Sequence, residues 1–228
     1  MWTLALILTT LYYPIRGDID MCVAEYLQQY GYLDVSENEI RNISEESFEK
    51  SLKLFQEYYN LTANGLVNEE TLNLTKAPRC GVEDDISFTV SHHKWGKNDI
   101  TWHYPLATAA HVKLAEAAFD AWGEVTNLIF RHDTVRPDIT IVNAMDKHRY
   151  YAKRGICPFP LDGHGKILAH AELPTVESHP LEIHIDQAEN WYLKKDHSIE
   201  FANLYKVLLH EIGHSLGISH SRDKRHCR

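Results

Sequence analysis

The sequence predicts an α+β protein of two units, a small helical one followed by a larger one that mixes sheet and helix. Three observations carry this expectation. From about residue 20 to 76 the apolar residues recur at helical spacing alone. Pro78 then breaks the pattern, and few periodic cues follow until about Asn98. Beyond that point short strand-like runs are interleaved with two longer helical patterns.

The elements follow in order. Met1 to Tyr13 carry no charged side chain and are rich in Leu, Ile and Ala, and Pro14, Ile15, Arg16 and Gly17 follow. Residues 1–17 therefore read as a secretory signal peptide, the alternative being a buried N-terminal strand or helix. The run is short of the roughly 20 apolar residues a membrane span needs, and no later segment is predicted to cross a bilayer. Val23, Tyr26, Leu27 and Tyr30 mark one face of a first helix. Phe48, Leu52, Phe55 and Tyr58-Tyr59 mark a second, preceded by Ser44 as half of a capping signal. Asn68 caps a third short helix that begins Glu69-Glu70-Thr71-Leu72. Sequons for N-glycosylation start at Asn42, Asn60 and Asn73, all within this helical unit.

Pro78 to Asn98 reads as a linker or extended segment. Ile100-Thr101-Trp102-His103-Tyr104 has strand composition, and residues 108–123 form a helix with Gly123 as the stop. Leu128 to Arg131 and Ile139 to Val142 read as strands. Residues 143–166, rich in Gly, Pro, Lys and His, read as loop. Ile167 to His170 and Ile183 to Asp186 are short strands, and helical spacing returns from about Ser198 to Leu216.

The chain has 228 residues, a net charge of -9 and a pI near 5.9. That balance argues against binding nucleic acid through its phosphates or being drawn to anionic lipid. The cysteines Cys22, Cys80, Cys157 and Cys227 are too few for a disulfide scaffold.

The last helix ends in His210-Glu211-Ile212-Gly213-His214-Ser215-Leu216-Gly217-Ile218-Ser219-His220. His210 and His214 share a helix face and can share a metal ion. Gly217 permits backbone angles that turn the chain back and bring His220 to the same ion. Histidine ligands in this number leave a fourth position of a tetrahedral zinc for water. Zinc would lower that water's pKa and polarise a scissile carbonyl, while Glu211 takes the proton and passes it to the leaving amine. The His-Glu-His-Gly-His positions have a chance probability of roughly 10⁻⁶ to 10⁻⁷ per start position. The pattern therefore reads as a zinc-dependent endopeptidase site, the bland alternative being a helix with surface histidines.

With these motifs in view, the chain resembles the matrix metalloproteinases, within the metzincin zinc endopeptidases. The zinc motif carries the resemblance together with Pro78-Arg79-Cys80-Gly81-Val82-Glu83-Asp84, which is similar to the family's cysteine switch. Tyr26 to Leu33, Gly65-Leu66-Val67 and Thr71-Leu72 are similar to its prodomain. The resemblance implies a three-helix prodomain at 18–84 and a metzincin-like catalytic domain at 85–228, a twisted mixed sheet with helices. It implies a latent zymogen in which Cys80 holds the zinc until the prodomain leaves, with Arg79 paired to Asp84. Taken alone, Cys80 could equally be a buried or disulfide-bonded cysteine. The family pattern further implies a structural zinc at His170 and His184, and calcium at Asp162, Asp186, Glu189 and Asp138. The strand at Leu168 and Ala169 would pair with the substrate backbone. The implied protein is a secreted, glycosylated monomer that cuts extracellular or matrix proteins and meets proteinaceous metalloproteinase inhibitors.

The sequence departs from the family twice. The family's structural zinc also takes a His and an Asp at places held here by Gly155 and Cys157. Either Cys157 replaces one ligand and His148 or His164 supplies another, or His170 and His184 are ordinary strand histidines; Cys157 could also pair with Cys227. The family also continues past the third histidine with a Met-containing turn, where this sequence has a basic tail ending at Arg228. That departure implies a catalytic domain whose C-terminal subdomain is largely missing. It leaves a second reading, a catalytically impaired zinc-binding paralogue or a protein that binds a partner or inhibitor.

Overall fold

A computed structural model of the chain describes residues 19–84, 93–175, 180–195 and 202–220. The predicted signal peptide and Cys227 lie outside these residues. The helical unit consists of α1 (Met21–Gln29), a single 3-10 turn (Ile40–Asn42), α2 (Glu45–Tyr58) and α3 (Glu69–Lys76). Each helix starts on a side chain that takes up an otherwise unpartnered backbone N–H. Asp20 accepts from Cys22 N and Val23 N, Ser44 from Ser47 N, and Asn68 from Thr71 N. Val23, Ala24, Leu27, Leu52 and Phe55 are almost wholly buried and form a core of their own, closed by Tyr30, Tyr32 and Tyr58.

The larger unit is built on a six-stranded sheet, in the order β1 (Arg79–Cys80), β5 (Ile167–Ala171), β6 (Leu181–Asp186), β4 (Ile139–Ala144), β2 (Asp99–His103), β3 (Ile129–His132). All neighbours are parallel except β5 and β6, which run antiparallel with His170 opposite His184. The central strands β5 and β6 are buried along their whole length, so hydrophobic alternation is lost there. Helices α4 (Ala109–Val125) and α5 (Leu204–Ser215) share one core with the sheet, formed by Trp102, Phe119, Ile141, Ile183, Leu204 and Leu208 among others. Trp122 locks the two helices together by donating from Nε1 to Leu209 O at 2.8 Å.

The α+β expectation holds, with its small helical unit and mixed sheet. One local reading is corrected. Gly123 does not stop α4, which continues to Val125; the end is made by Thr126, whose hydroxyl donates to Trp122 O at 2.7 Å. The segment after Pro78 takes the extended form of its reading at Arg79 and Cys80, which add a short strand to the edge of β5.

Candidate metal centre

Helix α5 delivers His210, Glu211 and His214 from its last two turns. Leu216 closes the helix and Gly217 follows with φ of +96°. Gly217 N donates to His214 O at 2.8 Å and Ile218 N to Gly213 O at 3.0 Å, the paired bonds of a Schellman turn. This turn brings His220 back over the helix as the glycine spacing predicts. His210 Nε2 lies 3.0 Å from His214 Nε2, and His220 Nε2 lies 3.1 Å from both.

Hydrogen bonds alone cannot satisfy such a triangle, since each nitrogen meets two others. A tetrahedral zinc with Zn–N of roughly 2.0–2.1 Å would space its nitrogen ligands about 3.3 Å apart, so the donor set fits that ion. Burial, and then the neighbouring histidines, push the His214 ring well below its usual basicity and His210 down to about 4. Both are thus neutral at pH 7, the form that ligates metal. His214 is oriented within this unit, its Nδ1 lying 2.7 Å from Ile218 O.

The Cys80 thiol joins the triangle, all four ligand atoms lying within 4.8 Å of one another. Val82 N donates to Cys80 Sγ at 3.3 Å. Burial, and next the Glu211 carboxylate, push the thiol's pKa up. Glu211 is buried too, which lifts its carboxyl to about 8; a hydrogen bond with Cys80 works against that rise, and Oε2 keeps no partner among the described residues. The segment that carries Cys80 is seated by backbone bonds to β5, from Arg79 N to Lys166 O at 2.7 Å and from Gly81 N to Ala169 O at 2.8 Å. Leu168 and Ala169 thus lie on a strand whose edge is already paired.

Arg79 pairs with Asp84, from Nη2 to Oδ1 at 2.7 Å, in agreement with the expectation for these two. Its guanidinium stacks on the Tyr30 ring at 3.6 Å and donates to the hydroxyls of Tyr26 and Tyr59. Asp84 accepts further bonds from Tyr32 and Tyr59 and lies 3.0 Å from His220 Nδ1. Burial alone would raise this carboxyl, yet His220 and Arg79 hold it well below the usual carboxylate range.

A second cluster forms from His148, Cys157, His170 and His184, with ligand atoms again within 4.8 Å of one another. Cys157 Sγ lies 3.3 Å from His170 Nε2 and 3.7 Å from His184 Nδ1, and these two nitrogens are 2.9 Å apart. His148 Nε2 is buried without a hydrogen-bond partner among the described residues, which suits a metal ligand. Of the alternatives open in the sequence, the structure brings in His148 with Cys157 as a free thiol. His164 is instead mostly exposed and pairs with Glu189 at 3.1 Å. Sequence reasoning missed Glu182, which is fully buried and accepts from Tyr151 N, Ala152 N and the His184 ring. It fixes both the loop that carries Cys157 and the ring of a cluster histidine. The predicted strand began at Ile183 and left Glu182 outside it.

Of the remaining predicted acids, three gather at one loop and one lies elsewhere. Asp162 accepts from Ile167 N, Asp186 from Gly163 N and Ala188 N, and Glu189 from Gly165 N. These carboxylates surround the 163–165 loop. Asp138 stands apart and is bound to Lys97 Nζ at 2.7 Å and to Thr101. Asn42, Asn60 and Asn73 are all exposed.

Comparison with known proteins adds two family matches. Residues 94–227 match the Matrixin peptidase family, and residues 23–74 match a putative peptidoglycan binding domain. Among curated relatives, matrix metalloproteinase-19 of Homo sapiens is 28% identical, covering 97% of this chain and 43% of its own length. Matrix metalloproteinase-C of Caenorhabditis elegans is 32% identical, covering 87% and 36%. Interstitial collagenase of Oryctolagus cuniculus is 35% identical, covering 90% and 43%. The chain spans less than half the length of these relatives.

Proposed function

The chain belongs to the matrixin family of peptidases, and from that premise we propose that it is a zinc-dependent endopeptidase held latent by its own N-terminal helical unit. The observation that carries this reading is the convergence of His210, His214 and His220 beside a buried Glu211, with the Cys80 thiol in the same cluster. A zinc ion bound there supplies Lewis acidity towards a peptide carbonyl and an acidified water.

The chain's own residues supply the rest. Glu211 is buried, is lifted to about 8 and has no partner for Oε2 among the described residues, all of which suit a group that takes and returns a proton. With zinc bound, Cys80 would take the coordination place a reacting group needs, and latency would follow from ligand competition. Arg79 and Gly81 occupy Lys166 O and Ala169 O on the β5 edge. When residues 18–84 leave as a prodomain, that edge becomes free to pair with an extended peptide. Backbone pairing of this kind favours protein substrates over small molecules, in keeping with extracellular or matrix proteins.

The second cluster suits a structural zinc with a thiolate among its ligands, and Asp162, Asp186 and Glu189 suit calcium by their oxygen chemistry. Asp138 suits calcium less, being ion-paired to Lys97. Secretion and glycosylation at Asn42, Asn60 and Asn73 complete the reading.

The test is made on the purified chain, loaded with zinc and treated with a mercurial to displace Cys80. Cleavage of a quenched peptide library that a chelator abolishes, and that Glu211→Gln abolishes with zinc retained, is the expected outcome. Stoichiometric zinc without any cleavage sinks the enzymatic reading.

A further inference from the structure

The helical unit covers the metal centre, but Asp84 does something that covering does not require. It is the group facing the outer nitrogen of the third histidine: His220 Nδ1 is buried, lies 3.0 Å from Asp84 Oδ1 in a bent contact, and has no other polar partner among the described residues. His214 differs, since its outer nitrogen is held by Ile218 O from its own turn. One ligand is thus oriented from within the unit that bears it and another from across the interface.

Asp84 is itself rigidly held. Tyr32 donates to it at 2.7 Å, Tyr59 at 3.1 Å and Arg79 Nη2 at 2.7 Å, while Arg79 is clamped by the Tyr26 hydroxyl and the Tyr30 ring. These tyrosines belong to the helical unit, and Tyr30 and Tyr32 are part of its core. The core of the first unit therefore ends in a carboxylate aimed at a ligand of the second.

Resting on the zinc reading above, we propose that Asp84 is a positioning residue for the metal: it fixes the His220 ring with a proton on Nδ1 and the lone pair of Nε2 turned to the ion. Carboxylates that hold a ligating histidine in this way set its tautomer and raise its basicity. Two consequences follow. The N-terminal unit helps to load the centre as well as to block it. Its departure removes the thiolate and the carboxylate together, so the mature centre holds its metal less tightly than the latent one.

The experiment uses the full chain and measures zinc affinity by competition with a chromophoric chelator. Asp84→Ala is expected to weaken binding about 10–100-fold. The same substitution is repeated on a Cys80→Ser background, where the thiolate no longer contributes. A similar further loss there is the expected result, because Asp84 then acts through His220 and not by seating Cys80. In the Co²⁺-loaded chain, one hyperfine-shifted, exchangeable imidazole N–H resonance should move or broaden on Asp84→Ala while the others stay. An unchanged affinity on the Cys80→Ser background overturns the proposal and leaves the endopeptidase reading standing. A wild-type chain that takes up no metal at this centre overturns both. Zinc bound as described, but with no cleavage after prodomain removal, sinks only the enzymatic reading.

Discussion

Gly81→Ala should unseat the latch without touching a ligand. Gly81 follows Cys80 and donates its N–H to Ala169 O. A Cβ at this position would lie 2.9 Å from Ile167 Cγ2, 3.3 Å from His170 Cβ and 3.5 Å from Ala169 O. None of these neighbours can yield cheaply. Ile167 is buried and β-branched, so its methyl moves only with the strand, and His170 Cβ is fixed to the backbone of β5. Overpacking of this kind typically costs about 1–3 kcal/mol, which shifts the seated-to-lifted equilibrium by roughly 5–150-fold. Cys80, one residue away, lifts with it. The assay is the alkylation rate of Cys80 in the uncleaved chain, read peptide by peptide in a mass spectrometer so that Cys22 and Cys157 are scored separately. Opening that is fast relative to alkylation makes the rate follow the open population, so the rate should rise by the same factor. Peptide hydrolysis by the uncleaved chain should rise with it. A Cys80 rate equal to wild type would refute the reasoning that β1 must lie flat on β5 for the thiol to reach the cluster.

Three further outcomes are expected. Glu211→Gln should lower peptide hydrolysis by about 10²–10⁴-fold with zinc content unchanged; parallel loss of zinc would mean a structural role instead. Arg79→Ala removes one partner of a nearly buried ion pair, which typically costs about 3–5 kcal/mol. Denaturant unfolding of the helical unit should shift accordingly and basal hydrolysis should rise, whereas a latent chain of wild-type stability would contradict the network described. Glu182→Gln should weaken the second ion about 10–100-fold and leave the first unaffected, as read by metal content during stepwise chelation; equal weakening of both ions would deny Glu182 its specific place.

The sequence showed some parts of this architecture and hid others for identifiable reasons. The catalytic-type cluster was legible because helix periodicity and one glycine dictate its geometry: a four-residue step puts His210 beside His214, and Gly217 at positive φ returns the chain. The caps Ser44 and Asn68 were legible because capping is a local bond. The second cluster was visible only as alternatives, with His148 and His164 both open beside Cys157. His170 and His184 sit opposite each other on β5 and β6, but His148 and Cys157 lie on a loop with no period. What brings them in is the loop's own closure, by Cys157 N to His148 O and the Arg149–Ile156 bridge, and its anchorage on Glu182. The Asp84–His220 contact joins residues far apart in sequence and had no local signal at all.

Both clusters are tied to β5, and that has a mechanical consequence. His170 extends from this strand into the second cluster, while the backbone of Ala169 holds the segment bearing Cys80. Gly81 also packs close to this strand: a Cβ there would lie 2.9 Å from Ile167 Cγ2 and 3.3 Å from His170 Cβ. A loss of order at the second cluster would let β5 shift against β6, because His170 and His184 form one of their paired positions. The seat of the latch would shift with it. Ions at the two clusters should therefore couple through a strand rather than through charge. Cys157→Ser is expected to speed Cys80 alkylation even though Cys157 is absent from the first cluster. An unaltered Cys80 rate in a Cys157→Ser chain shown to have lost its second ion would mean that β5 is held by its core packing alone.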